Sequence, residues 1–252
     1  MEEFKWSDYI NDTVVISLKE RDDRRELLDM RLRRVDLGNG DTLKDYARYF
    51  DAHDTTVVKD IPKDVVNRYY NFDFHYEVDP RDTLEQYYNQ GRVVESTDVE
   101  MAISYSHYSV WKHIVDNKVP ATLIMEDDVL FRFGLLGKLK ASLMEDLPKD
   151  YDLLYLSYDT TNASDGDKYK RYLYKINFGL WWMSAYILTY EGAKKLMEGL
   201  PITGPVDVWI NHQFKNMSVF SIDEPIITQT YETPSSNDWS FANNYYRNVT
   251  NK

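Results

Sequence analysis

The sequence contains no cysteine, which excludes disulfide bonds and thiolate chemistry. It also lacks any apolar stretch that approaches the roughly 20 residues of a membrane-spanning helix. The first fifteen residues hold no basic segment followed by an apolar run, which is the pattern of a secretory signal. We therefore expect a cytoplasmic protein without a membrane span.

Positive charge is scarce, because 30 lysine and arginine residues stand against 42 aspartate and glutamate residues, for a net charge of −12. This balance disfavours a nucleic-acid binder, which needs a basic surface against phosphate. The sequence also lacks the glycine-rich dinucleotide and phosphate loops and the Gly-x-Ser-x-Gly elbow of hydrolases. Its five histidines show no zinc spacing.

Apolar runs of strand length alternate with helical patterns in the first half of the chain. Strands are predicted at residues 13–18 and 121–125, and helices at 22–35 and 97–117, the last with a capping box formed by Thr97 and Glu100. Such alternation predicts an α/β fold in which a mostly parallel central sheet carries helices on both faces. Ligands of such sheets bind beyond the carboxyl ends of the strands.

A chain of 252 residues can form one sizeable domain. We expect a single domain over residues 1–252, with a core at 13–230, a variable insertion at 53–95 and an irregular tail at 233–252. In the second half we predict a turn-rich loop at residues 162–167, followed by a strand at 169–178.

Three consecutive carboxylates, Glu126-Asp127-Asp128, follow the apolar run at residues 121–125. Like charges about 4 Å apart repel by about 1 kcal/mol in water and by more when partly buried. Mg²⁺ or Mn²⁺ would neutralise them, because both ions prefer oxygen ligands and keep positions open for phosphate. The alternative is a solvated acidic turn.

The first strand is followed by the charged run Lys19 to Arg25. Cations at a helix N-terminus oppose the helix dipole, and a bound anion would relieve that conflict through the arginines and the free amides. A nucleotide diphosphate is one such anion. A surface helix with many ion pairs is the alternative.

His107 and Asp207 can each be interpreted either as a structural residue or as a residue with a chemical role. His107 follows Ser106 and lies on the apolar side of its predicted helix, either as a core histidine with one hydrogen bond or as a ligand contact beside the acidic triplet. Pro205 fits the first position of a helix, which places Asp207 in the first turn. There the dipole stabilises a carboxylate by about 0.3–1 kcal/mol, and the same carboxylate could act as a general base.

The order of these segments resembles glycosyltransferase family 25. The segments that carry the resemblance are ISLKERDDRR, FDAHDT, EMAISYSHYSVWKHIV, ATLIMEDDV, SAYILTYEGAKKLM and PVDVWI. Together they span residues 14–229. The chain departs from the family pattern at Ala102-Ile103, where the family has Gly-Cys, and around Trp182-Met183, which leaves the donor sugar and the acceptor open.

The resemblance implies a GT-A-like fold, a UDP-sugar donor (usually UDP-galactose), Mn²⁺ or Mg²⁺, and inversion at the anomeric carbon. It implies Asp128 and Glu126 as metal ligands and Asp207 as the general base. The residues implied to contact the nucleotide-sugar donor are Ser17, Arg21, Arg24, Ser106, His107, Glu126 and Asp127.

The resulting hypothesis is transfer of a hexose from a UDP-sugar to a saccharide or hydroxylated acceptor. Lipooligosaccharide, a protein hydroxylysine and a free saccharide all remain open as acceptors. The alternatives are a phosphohydrolase, which would need more metal ligands than one acidic triplet, a non-catalytic module that binds nucleotide or glycan, and a structural protein with an acidic surface.

Overall fold

The computed structural model describes residues 4–38, 40–80, 91–132 and 134–230. The described strands are β1 (Asp12–Ser17), β2 (Ala47–Asp51), β3 (Val66–Asn67), β4 (Tyr69–Asn71), β5 (Val93–Glu95), β6 (Ala121–Glu126), β7 (Val129–Phe131), β8 (Leu153–Lys170), β9 (Leu173–Thr189), β10 (Ile202–Thr203), β11 (Val219–Ile222) and β12 (Ile227–Gln229). Six of them form the central sheet, in the order β11-β8-β9-β6-β1-β2.

Within the central sheet only β9 runs against the other strands. Strand β1 is parallel to β2 and to β6, and β11 is parallel to β8. Strand β9 is antiparallel to both β6 and β8. The prediction of an α/β fold with a mostly parallel sheet is therefore confirmed.

Helices cover both faces of this sheet. They are α1 (Asp22–Leu32), α2 (Leu43–Tyr46), α3 (Asp73–Val78), α4 (Asp98–Asn117), α5 (Leu135–Ala141), α6 (Tyr190–Glu198) and α7 (Val206–Asn211). None of the helices in the described ranges is long and apolar enough to cross a membrane.

The apolar core is divided between the two faces because side chains along a strand alternate in direction. Val14 of β1 belongs to the cluster that contains Trp111 and Ile114 of α4. The next residue, Val15, belongs to the opposite cluster with Leu28 of α1. The predicted helices on both faces are thus confirmed, in line with the GT-A-like fold that the family resemblance implies.

Helix α4, the longest among the described residues, begins where its sequence predicts. Thr97 and Glu100 form the capping box, in which the Thr97 amide donates to Glu100 Oε2 at 2.8 Å and the Glu100 amide donates to Thr97 Oγ1 at 3.2 Å. Each side chain thereby satisfies a backbone amide that has no partner within the helix.

The predicted loop at residues 162–167 is wrong, because β8 continues through it to Lys170. Its partner β9 supplies the ladder, with Asp165 opposite Phe178 and Gly166 opposite Ile176 across several register shifts. This end of β8 is mostly exposed, so its polar residues show no apolar alternation. The predicted strand at 169–178 is also wrong as one element, because the hairpin turns at residues 171–172.

The segment that we expect to be a variable insertion contains short elements where it is described. They include a 3₁₀ helix at Thr55–Asp60 and the antiparallel pair β4 and β5. Strand β3 pairs with β10, which places this segment beside the chain that leads into α7. Residues 81–90 and the tail predicted at 233–252 lie outside the described residues.

Candidate functional site

The candidate site begins at the carboxyl ends of β1 and β6. These strands are parallel neighbours with Ile16 opposite Glu126, so the residues that follow emerge at the same edge of the sheet. Ser17 Oγ donates to Asp127 Oδ2 at 2.8 Å. The two residues are 110 positions apart in sequence, and the parallel pairing of β1 with β6 brings them together.

Helix α1 adds a cation to this edge. Arg24 Nη1 lies 2.7 Å from Asp127 Oδ1 and 3.8 Å from Asp128 Oδ2. Arg24 is only 9% exposed and Asp127 only 7%. Charged groups removed from water to this extent depend on each other, so this pair fixes Asp127 at the sheet edge.

The carboxyl of Asp128 has a more strongly raised pKa than that of Asp207, the other site carboxyl with a raised pKa. The pKa of Asp128 is raised to about 7, mainly by burial and also by the charges of Glu126 and Asp127, while the charge of Arg24 opposes the shift. Its Oδ1 atom is buried and makes no hydrogen bond with the described residues. A buried oxygen of this kind is available to a cation or to a proton.

Glu126 stands at the end of β6 with both oxygens contacted. Gln229 Nε2 donates to Oε2 at 3.2 Å, and His107 Nε2 lies 3.5 Å from Oε1. Gln229 reaches this point because β12 pairs antiparallel with β7, with Gln229 opposite Val129. The Glu126 side chain is 26% exposed, so it remains open to a ligand.

His107 of α4 is a buried side chain and also borders the acidic triplet. It is 1% exposed, and its Nδ1 lies 2.9 Å from the hydroxyl of Tyr186 on β9. The same hydroxyl accepts a hydrogen bond from Trp111 Nε1 at 2.9 Å. His107 is therefore both a buried core histidine with a hydrogen bond and a neighbour of the Glu126 carboxylate.

Asp207 lies in the first turn of α7, as its sequence predicts. Its pKa is raised to about 6, mainly by burial and also by the charges of Glu100 and Glu126. The amide of Val208 donates to its Oδ1 at 3.0 Å. A carboxyl with a pKa near neutrality can exchange a proton at physiological pH.

Two of the predicted donor contacts are engaged elsewhere. Arg21 makes two hydrogen bonds of 2.8 Å with the exposed Asp23, and this contact is the main cause that raises the pKa of Arg21, with smaller contributions from the charges of Asp127 and Asp128. Ser106 Oγ donates to the Ala102 carbonyl and accepts from the His53 amide. The hydroxyl of Ser106 thus ties the chain after β2 to α4.

Sequence reasoning missed three side chains that complete the site. Arg25 Nη2 contacts the Ser17 carbonyl at 2.9 Å and Asp51 Oδ1 at 2.7 Å. Its position at the end of the charged run Lys19 to Arg25 is the sequence feature that could have indicated this role. Tyr186 and Gln229 carry no such signal, because their roles depend on the pairing of β9 with β6 and of β12 with β7.

The acidic triplet alone does not form a complete metal site. No group of three or more histidine, cysteine, aspartate or glutamate side chains within the described ranges is arranged to hold a metal ion. Mg²⁺ is commonly held by one or two carboxylates with the remaining positions taken by phosphates and water. Asp128 and Glu126 fit that pattern, which needs a phosphate-bearing ligand to complete it.

A cavity of about 210 Å³ lies apart from these residues. Its lining is mainly apolar and includes Leu43, Leu123 and Leu139, and none of the candidate site residues borders it. The candidate site is therefore defined by converging polar side chains and not by that cavity.

Residues 10–210 match the family model described as "Glycosyltransferase family 25 (LPS biosynthesis protein)". The chain belongs to glycosyltransferase family 25. This finding confirms the resemblance that the sequence motifs indicate.

Three relatives show how the similarity is distributed. The procollagen galactosyltransferase 2 of Mus musculus is 32% identical over 119 residues, which cover 44% of this chain and 19% of that protein. The procollagen lysyl hydroxylase and glycosyltransferase of Acanthamoeba polyphaga mimivirus is 33% identical, covering 40% and 12%. The inactive glycosyltransferase 25 family member 3 of Homo sapiens is 32% identical, covering 47% and 21%.

The aligned region thus spans about a fifth or less of these relatives. Among solved structures, the inositol-1-phosphate CTP transferase from T. maritima gives a TM-score of 0.38 at 15% identity over 96% of each chain. A similarity of that size supports no conclusion about function.

Proposed function

We propose that this chain is a metal-dependent, inverting glycosyltransferase that moves a hexose from a UDP-sugar to a saccharide or hydroxylated acceptor. Galactose is the proposed hexose, because relatives of this chain are procollagen galactosyltransferases. The observation that carries the proposal is the carboxyl of Asp128, which is buried beside two further carboxylates and has an oxygen without a hydrogen bond among the described residues.

The residues present fit Mn²⁺ or Mg²⁺. Asp128 and Glu126 supply oxygen atoms, which these ions prefer, and the pKa of Asp128 is raised by burial first and then by the neighbouring negative charges. When bound with the donor diphosphate, the ion would offset the charge that develops on the departing UDP. Ser17 and Arg24 hold Asp127 in place at the same edge, where we propose that it faces the nucleotide.

Asp207 is the proposed general base. Its carboxylate would accept the proton of the acceptor hydroxyl while the oxygen of that hydroxyl attacks the anomeric carbon on the face opposite UDP. The new glycosidic bond forms as the bond from the anomeric carbon to the UDP oxygen breaks, and the electron pair of that bond leaves with UDP. A pKa of about 6 leaves Asp207 ionised at neutral pH and still basic enough to assist.

A non-catalytic module that binds nucleotide or glycan is the second candidate. The observation that favours it is the similarity to a family member named as inactive. Such a module would bind UDP and release none from a UDP-sugar. Both candidates are therefore expected to bind UDP, and only the glycosyltransferase is expected to release UDP from a UDP-sugar.

Calorimetric titration of UDP, with and without Mn²⁺, tests the binding step that both candidates share. The variants are Asp128→Asn and, as a control with the same type of substitution, Asp150→Asn on an exposed residue outside the site. We expect Mn²⁺-dependent UDP binding in the wild type and in the control, and binding at least about tenfold weaker in Asp128→Asn. Equal UDP affinity in all three proteins would contradict the proposed role of Asp128.

A further inference from the structure

A continuous set of polar contacts crosses the core from α4 to the acidic triplet. Trp111 Nε1 lies 2.9 Å from Tyr186 Oη, which lies 2.9 Å from His107 Nδ1. His107 Nε2 in turn lies 3.5 Å from Glu126 Oε1. Trp111 and Tyr186 are fully buried and His107 is 1% exposed, so water does not compete for these contacts.

The direction of each hydrogen bond follows from the number of protons. The indole of Trp111 can only donate, so Tyr186 Oη is an acceptor from that side. Burial raises the pKa of Tyr186, so its hydroxyl retains a proton that needs an acceptor. Among the contacts of the described residues, His107 Nδ1 is the acceptor within reach.

A single tautomer of His107 satisfies all of these groups. If Nδ1 accepts from Tyr186, the neutral ring carries its proton on Nε2 and directs it toward Glu126 Oε1. If Nδ1 carried the proton instead, the buried hydroxyl of Tyr186 would receive two donors and its own proton would be left without a partner, which is unfavourable for a buried polar group.

We propose that Tyr186 and Trp111 are positioning residues that fix the Nε2–H tautomer of His107 and, through it, the orientation of the Glu126 carboxylate. Gln229 holds the other oxygen of Glu126, so the two contacts together set the rotation of that group. The consequence for donor binding rests on the proposed function, whereas the tautomer itself does not.

The neighbouring strand provides a matched control. Tyr155 of β8 is directly opposite Tyr186 and is equally buried. Its hydroxyl makes no hydrogen bond with the described residues. Replacing either tyrosine by phenylalanine removes one buried oxygen. Only the replacement of Tyr186 removes a hydrogen-bond partner of His107 and should alter its tautomer.

The experiment is NMR of protein labelled with ¹⁵N in its histidine rings, recorded at one neutral pH without donor or metal. The wild type and Tyr155→Phe should show His107 with an unprotonated Nδ1 and a protonated Nε2. Tyr186→Phe should shift both ring nitrogens toward a mixture of tautomers. If that variant does not fold, Trp111→Phe replaces it, because the change removes the donor that orients the Tyr186 hydroxyl.

A wild-type ring protonated on Nδ1, or a tautomer that is unchanged in Tyr186→Phe, would overturn the proposal. UDP release provides the separate test of its consequence. We expect turnover to fall about 10- to 100-fold in Tyr186→Phe, as is typical when a group that orients a ligand is removed, and to stay unchanged in Tyr155→Phe. A wild type with the Nε2–H tautomer and no turnover with any donor would refute the proposed function and leave the tautomer assignment intact.

Discussion

The pair formed by Arg24 and Asp127 gives the sharpest stability prediction. Replacing Arg24 by methionine keeps an apolar stem of similar length and removes the cation 2.7 Å from Asp127. The side chains of Arg24 and Asp127 are 10% and 8% exposed, so the remaining carboxylate would be a buried charge whose cation is gone. Removing one partner of a buried pair costs about 3–5 kcal/mol.

Arg21 provides the comparison, because it pairs with a carboxylate at the same helix end but in solvent. Its partner Asp23 has a side chain that is 57% exposed. Exposed pairs contribute about 0–1 kcal/mol. We therefore expect Arg21→Met to lower the free energy of unfolding by at most about 1 kcal/mol, against about 3–5 kcal/mol for Arg24→Met.

Urea unfolding followed by circular dichroism measures the loss of unfolding free energy in both variants. The dependence of that free energy on urea concentration should be the same in all proteins compared. The double variant Arg24→Met/Asp127→Asn should recover part of the loss, because it removes the stranded charge and leaves an oxygen that can accept from Ser17. Equal losses for Arg24→Met and Arg21→Met would refute the view that burial makes the Arg24 pair decisive.

Two further predictions concern packing and pH. A Cβ atom at Gly192 would lie 2.4 Å from the Asp152 carbonyl oxygen, so Gly192→Ala should lower the free energy of unfolding by about 1–3 kcal/mol. Gly137→Ala, with no atom within 4 Å of the added Cβ, should instead raise it by about 0.5–1 kcal/mol; thermal unfolding compares the two, and equal midpoints would contradict the contact. Asp207 must be ionised to accept a proton, so kcat/KM should fall as pH drops through about 6. Glu100→Gln keeps the capping box and removes a charge that raises the pKa of Asp207. The acidic limb should then move to lower pH, and an unmoved limb in the pH–rate profile would argue against Asp207 as the base.

Features that depend on local sequence could be predicted. The capping box at Thr97 and Glu100 sets the start of α4 through contacts within four residues. The apolar run of β6 followed by Glu126-Asp127-Asp128 indicates a strand that ends in carboxylates, and the structure has that arrangement. Asp207 likewise lies in the first turn of its helix as predicted, although Pro205 is the N-cap and not the first helical residue.

Features that depend on distant strand pairing could not be predicted. The end of β8 is polar and exposed, and only its pairing with β9 makes it a strand. Tyr186 reaches His107 because β9 lies against β6, with Tyr186 opposite Ile124 on the face covered by α4. Gln229 reaches Glu126 because β12 pairs with β7. In each case the partner lies far away in sequence.

Release of UDP from a panel of UDP-hexoses, with and without Mn²⁺, tests the central claim most directly. The proteins compared are the wild type, Asp128→Asn and the exposed control Asp150→Asn, each with saccharide and hydroxylysine-containing acceptors. We predict Mn²⁺-dependent release from UDP-galactose in the wild type and the control, lost in Asp128→Asn. Release that is independent of metal and unaffected by Asp128→Asn, or no release from any UDP-hexose, would contradict the proposal of a metal-dependent glycosyltransferase.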